Sequence, residues 1–195
     1  MTRFSILTIL IALTVTPGCK TKLDNWITYK DKFDLGSISL PSAPKETIDT
    51  VVTSNYKLVH SSNISAFPNK DISPSAFGYD LVFPTNISEF DLFQMKKDSS
   101  IVNKLFYNMM KGAEYTTNSL IKDKLFFNYH NEPAVKFTLY NETDKQKSIG
   151  RIIIFDNYVL LTTATGIESK YSEEVEEAFF NTLKTDSGKS NRQQY

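Results

Sequence analysis

The sequence predicts an α+β fold: a largely antiparallel β-sheet packed against two or three helices, behind an N-terminal signal helix. Three observations carry this expectation. Apolar residues alternate with period two up to Pro84 and again after Thr116, as half-buried strands require. Between those regions, and once more after Ser172, the apolar spacing becomes helical. The chain also holds 14 Phe and 10 Tyr, a usage that suits strands and a packed core and argues against disorder.

The first element is the signal helix. Arg3 supplies a short positive start, and Phe4 to Val15 is apolar without a charge, ending at Pro17. A membrane-crossing helix needs about 20 apolar residues; a charged start, a short apolar core and small residues before a cut are the anatomy of a secretory signal. The sole cysteine, Cys19, follows directly in LTVTPGCK. Its placement resembles the lipobox of bacterial lipoproteins, with Gly18 fitting the position before the cysteine and Thr16 and Pro17 departing from the usual Leu and small residue. A lone cysteine has no partner for a disulfide, so Cys19 is expected to be the lipid attachment site. An ordinary cleaved signal and an uncleaved N-terminal anchor are the alternatives. Acyl chains hold a protein by about 0.8 kcal/mol per buried methylene, so two or three chains anchor it stably.

The expected organisation is a lipoprotein signal peptide over 1–18, a lipid-anchored tether over 19–33, a single α+β domain over 34–184 and a disordered tail over 185–195. Lys20, Lys22, Lys30 and Lys32 interleave with Asp24, Asp31 and Asp34 in the tether, as in a solvated linker. Trp26 and Tyr29 either rest at a membrane interface or cover an edge of the domain. After Gly36, SISL is a short strand stopped by Pro41 and Pro44. ETIDTVVT (46–53) and YKLVHSS (56–62) read as a hairpin about Ser54-Asn55, followed by a loop from Asn63 to Ser75 and a strand over 76–84.

In the middle, Ser88 with Glu89 and Asp91 looks like a helix start. Phe90, Phe93, Ile101, Leu105 and Met109 supply a buried stripe, widened by Val102 and Phe106. Asp98, Ser99 and Ser100 interrupt it and cap a second segment, and Gly112 stands where a C-terminal cap belongs. Four strands are expected next, over 116–130, 132–141, 148–157 and 158–166. The run Ile152, Ile153, Ile154 marks a central strand covered on both faces, and Asp156-Asn157 a two-residue turn of a favoured type. Ser172 then caps a helix whose buried stripe is Val175, Phe179 and Leu183.

Without residues 1–18 the chain keeps 21 basic against 22 acidic side chains, so no strong field gathers nucleic acid. His60 and His130, the only histidines, lie in different halves with no metal-ligand spacing. YHNE (129–132) reads as a hairpin tip, and Glu173/Glu177 as exposed acids on one helix face. No nucleophile elbow, phosphate loop or dinucleotide fingerprint is present. PSAP (41–44) is explained by ending a strand. The sequons at Asn63, Asn86 and Asn141 matter only in a glycosylating host. No catalytic residue, metal ligand or cofactor is expected.

SISLPSAP at the start, and GRIIIFDNYVLLTTATG followed by EEVEEAFFNTLK near the end, resemble the PsbP-like group of α/β/α sandwich domains, which includes DcrB-type envelope lipoproteins. The resemblance spans Phe33 to Thr185. It implies a binding or assembly-supporting protein without a shared catalytic set. The functional expectation is therefore a lipid-anchored protein of the bacterial cell envelope, facing periplasm or exterior, that binds the membrane through Cys19 and a protein partner through its domain. The alternative is a carrier of small apolar ligands, with a cavity between sheet and helices.

Overall fold

The structure, a computed structural model, describes residues 25–52, 57–67, 73–85 and 92–185. Strands β1 (Ile27–Lys30), β2 (Gly36–Leu40), β3 (Lys45–Val52), β4 (Lys57–Ala66) and β5 (Ala76–Thr85) come first. Helices α1 (Leu92–Met95) and α2 (Ser99–Thr116) follow, then β6 (Leu120–Tyr129), β7 (Glu132–Asn141), β8 (Gln146–Ile154) and β9 (Val159–Ile167). Helix α3 (Glu173–Asn181) and the short β10 (Lys184–Thr185) close the domain.

Seven strands form one antiparallel sheet in the order β3-β4-β5-β9-β8-β7-β6, and β1-β2-β10 form a second. Two meanders, β3 to β5 and β6 to β9, thus meet at the β5–β9 pair. The helical connection carries the chain from the middle of the sheet to its far edge. Alternation then sorts the side chains. Val135, Phe137, Leu139, Ile152 and Ile154 face α2, which buries Val102, Phe106 and Met110 against them. Phe77, Tyr79, Leu81, Ile149, Ile153 and Leu160 face the opposite layer, made by α3 and the small sheet. The result is the α+β sandwich that the sequence predicts, with Ile152, Ile153 and Ile154 all buried in β8.

Close packing explains one glycine. A Cβ at Gly150 would stand 2.3 Å from Cζ of Phe137, so the Phe137 ring lies directly across β8 where only a hydrogen fits. Several local expectations are corrected. Ile27–Lys30, inside the expected tether, is a strand paired with β2, because Trp26 packs on Phe77 at 5.0 Å and Tyr29 donates to Asn63 Oδ1 at 2.7 Å. The expected loop after Asn63 is strand as far as Ala66, since Asn63 and Ser65 are buried and hydrogen-bonded. Helix α2 is capped by Asp98, as the sequence predicts, with its side chain accepting from the Ser100 and Ile101 amides. Of the expected stripe, Val102 and Phe106 are buried and are joined by Met110, Leu105 and Met109 lie partly buried beside them, and Phe93 and Ile101 are 48% and 41% exposed. The Ser88 start falls outside the described residues, as do the signal segment and residues 186–195.

Gly112 does not cap α2. It lies inside the helix, whose last turn is completed by the Thr116 and Thr117 hydroxyls donating to the Gly112 and Ala113 carbonyls. Nothing stands within 4 Å of a Cβ built there. Gly112→Ala is therefore expected to stabilise the domain by about 1 kcal/mol, the helix-propensity difference, read as a higher urea midpoint at unchanged slope. A lower midpoint would contradict this placement.

The turns also differ. His130 and Asn131, at φ 49° and 70°, make the left-handed pair of a two-residue hairpin between β6 and β7. Asp156-Asn157 does not use positive φ. The Phe155 amide donates to the Tyr158 carbonyl at 2.9 Å, and their rings stack at 4.5 Å, which closes the loop without a primed turn. Helix α3 ends at Asn181, so Leu183 of the expected stripe is buried just beyond the helix rather than on it, and Lys184 and Thr185 pair with β2.

Candidate functional site

The residues singled out in the sequence do not converge. Cys19 lies outside the described residues. His60 sits on β4 and His130 at the β6–β7 turn, towards opposite edges of the large sheet. His130 packs edge-on against Tyr129, while Glu132 pairs with Lys96, which also takes Asp156. Glu173 and Glu177 are exposed on α3, with Glu173 3.9 Å from Lys147. Among the described residues no three His, Cys, Asp or Glu side chains gather as a metal centre would require, and no helix is long and apolar enough to cross a membrane. Two sequon asparagines are structural. Asn63 donates to the Tyr79 carbonyl at 3.2 Å, and Asn141 donates to Thr117 O at 3.2 Å. PSAP forms the crossover between the two sheets, where Ser42 bonds Ser65 at 3.0 Å.

Two places carry chemistry that sequence reasoning missed. The first is a cleft of about 300 Å³ between α2 and the β6–β7 hairpin, lined by Val102, Asn103, Phe106, Phe126, Asn128 and Pro133. Phe106 is buried and Phe126 is 47% exposed, with their centroids 6.0 Å apart. The lining is aromatic and aliphatic with two amides at the rim, a composition that accepts an apolar body with one polar handle. It contains no acid, base or nucleophile positioned for bond-breaking. Nothing local in the sequence signals it, because it needs α2 laid against a hairpin that follows in the chain.

The second is the α2-side face of β4 and β5. Register places His60, Ser62, Asp80 and Val82 together there, beyond the strands that α2 covers. Asp80 is poorly solvated, its Oδ1 has no hydrogen-bond partner, and His60 Nε2 lies 3.9 Å away. Burial holds its carboxyl above the ordinary carboxylate range, against the opposing pulls of the Ser62 hydroxyl, His60 and the Asn63 backbone. Ser62 serves the acid rather than the histidine, so the trio is no nucleophilic triad.

The sign of the pH effect follows from that raised value. Folded Asp80 keeps a proton that the unfolded chain loses near pH 4. The Asp80 contribution to stability is thus fully present below about pH 4 and is lost as pH rises through the folded value. Asp80→Asn removes this loss and is expected to flatten the fall in urea stability as pH rises above about 4, raising stability once the wild-type carboxyl has ionised. Parallel pH curves for the two proteins would contradict the assignment.

On the opposite face, Arg151 stands 4.1 Å from the Phe180 ring, and Glu176, only 2% exposed, takes Lys136 Nζ at 2.7 Å. These contacts lock α3 to β7 and β8.

No protein-family model matches the chain, and no curated protein matches it. Among solved structures, cyanobacterial PsbP (CyanoP) from Synechocystis sp. PCC 6803 is similar at TM-score 0.53 and 6% identity, over 88% of this chain and 98% of that one. A protein of unknown function from Pseudomonas aeruginosa, PA94, described as a putative regulator, gives TM-score 0.37 and 13% identity over 80% of this chain and 92% of that one. With two meanders joined at β5–β9, α2 on one face, and α3 with the small sheet on the other, the chain has a PsbP-like α+β sandwich fold.

Proposed function

We propose that this is a lipid-anchored protein of the bacterial cell envelope, held through acyl chains on Cys19, whose non-catalytic domain binds a protein partner. The observation that carries the binding role is the open cleft floored by Phe106 and rimmed by half-exposed Phe126. Aromatic side chains beside a concavity are favoured anchors at interfaces, and the PsbP-like fold supports a domain without chemistry of its own. The lipid anchor is supported by the signal-like segment that ends just before the sole cysteine.

Two experiments test the two halves separately. Cells labelled with radioactive palmitate should mark the wild-type chain and leave Cys19→Ala unlabelled; equal labelling ends the anchor. A photoreactive residue at position 126 should give one discrete crosslinked protein in intact cells. Asn103→Trp, which fills the cleft from an exposed helix position, should abolish the adduct. An unchanged pattern ends the cleft's role.

The volume of the cleft favours a second reading, a carrier of small apolar ligands, because about 300 Å³ is at the lower end of ligand-site volumes. That reading expects saturable binding of an apolar fluorescent probe, lost in Asn103→Trp. A probe that binds neither protein removes it.

A further inference from the structure

The two edges of the large sheet are built differently. At one, β6 carries a bulge between Ile121 and Asp123, with Lys122 and Lys124 beside it. A bulge and lysines are devices that keep an edge from pairing with another strand. At the other edge, β3 runs in unbroken register with β4 from Lys45 to Val52. It has no bulge and no proline, and Lys45 to Thr50 and Val52 are all exposed. No described strand pairs with its outer side. An edge of this kind presents a row of free amides and carbonyls, a ready template for one more strand.

We propose that β3 is the contact through which two copies of this chain associate, antiparallel, about a two-fold axis at Thr47. The charge pattern selects both the partner and the register. A closed two-fold pairing of identical antiparallel strands keeps each sheet face continuous, so it must centre on a residue. Centring on Glu46 or Asp49 sets a carboxylate against its own copy, which is unfavourable. Centring on Ile48 sets Asp49 opposite Thr47 and gives Lys45 no counter-charge.

Centring on Thr47 instead places Lys45 of each copy opposite Asp49 of the other, twice, on one face. Neither side chain has an ion-pair partner among the described residues, and both are exposed. Glu46, on the other face, is already held by Lys32 at 3.0 Å, and it opposes Ile48, which is 46% exposed in the single chain. Whichever set of β3 backbone groups points outward, this register gives hydrogen-bonded pairs.

The test uses the full chain in a mild detergent, with the dimer constant read by sedimentation equilibrium over a concentration series. Wild type is expected to dimerise. Lys45→Asp and Asp49→Lys should each weaken the dimer by about tenfold or more, since each turns two attractive pairs into two repulsive ones. The two single variants mixed together should recover a heterodimer, because each supplies the charge the other now lacks. The double variant should recover the homodimer alone. A wild type that stays monomeric, a dimer indifferent to either reversal, or a mixture that fails to recover each overturns the proposal.

Discussion

Phe179→Ala is expected to destabilise the domain by about 4 kcal/mol, within the range for deleting a fully buried phenylalanine. Phe179 has no exposed surface. Its ring lies 4.8 Å from Phe77 of β5, 5.0 Å from Phe180 and 6.3 Å from Trp26. It therefore joins α3, the centre of the large sheet and the segment leading into β1. Alanine leaves a cavity bounded by three elements that cannot all collapse inward, so the cavity cost adds to the lost transfer free energy. Trp26 is the only tryptophan, and its fluorescence reports this cluster during urea unfolding. Phe179→Leu, which keeps most of the volume, should cost clearly less. A loss below about 1 kcal/mol in the alanine variant would mean that α3 is not seated as described.

How far such a cluster is legible in the sequence depends on how local its causes are. The helical spacing of Val175 and Phe179 after the Ser172 cap is local, and both are buried, with Ser172 Oγ accepting from the Val175 amide. The three isoleucines of β8 are legible for the same reason: a run that is apolar at every position has to be covered on both faces. The stripe of α2 is less so. Leu105 and Val102 both satisfy helical spacing, and only the sheet decides which row turns inward. Gly112 offers a cap by residue type, yet two threonines further on complete the turn instead.

The sites were harder still. Asp80 has an ordinary sequence context, and its poor solvation follows from register with β4. Glu176 reads as one of several acids in the first turns of α3, where its charge suits the helix dipole. Only packing shows that it is the one turned inward, onto Lys136. The Phe126 cleft exists because α2 lies over a hairpin that begins after it, a relation no spacing pattern encodes. Cys19 is the converse case, a residue whose chemistry is argued from local sequence alone.

The segment expected to be a tether gives the sharpest contrast, and Asp31→Ala is expected to cost about 3–4 kcal/mol there. Alternating lysines and aspartates suggest a solvated linker, but the structure sorts them. Lys30 pairs with Asp34 at the surface and Lys32 with Glu46, whereas Asp31 is turned inward and 4% exposed. Its Oδ1 accepts from the Phe33 and Leu35 amides at 2.9 and 3.2 Å. Its Oδ2 accepts from the Gly36 amide at 2.5 Å and the Tyr79 hydroxyl at 3.3 Å. One carboxylate thus organises the whole β1–β2 turn and ties it to β5. Burial, with Asp31 adding to it, drives the Tyr79 hydroxyl far above its ordinary value, so it remains a donor. Alanine would leave these donors buried without an acceptor, and that desolvation penalty exceeds the net worth of any single bond. Tyr79→Phe removes one donor and leaves the three amides satisfied, so it should cost only about 1 kcal/mol. Urea unfolding read from Trp26, five residues upstream, distinguishes the two. If Asp31→Ala left the midpoint unchanged, this stretch would be the solvated linker its composition suggests; a loss several times that of Tyr79→Phe makes it the first strand of the domain.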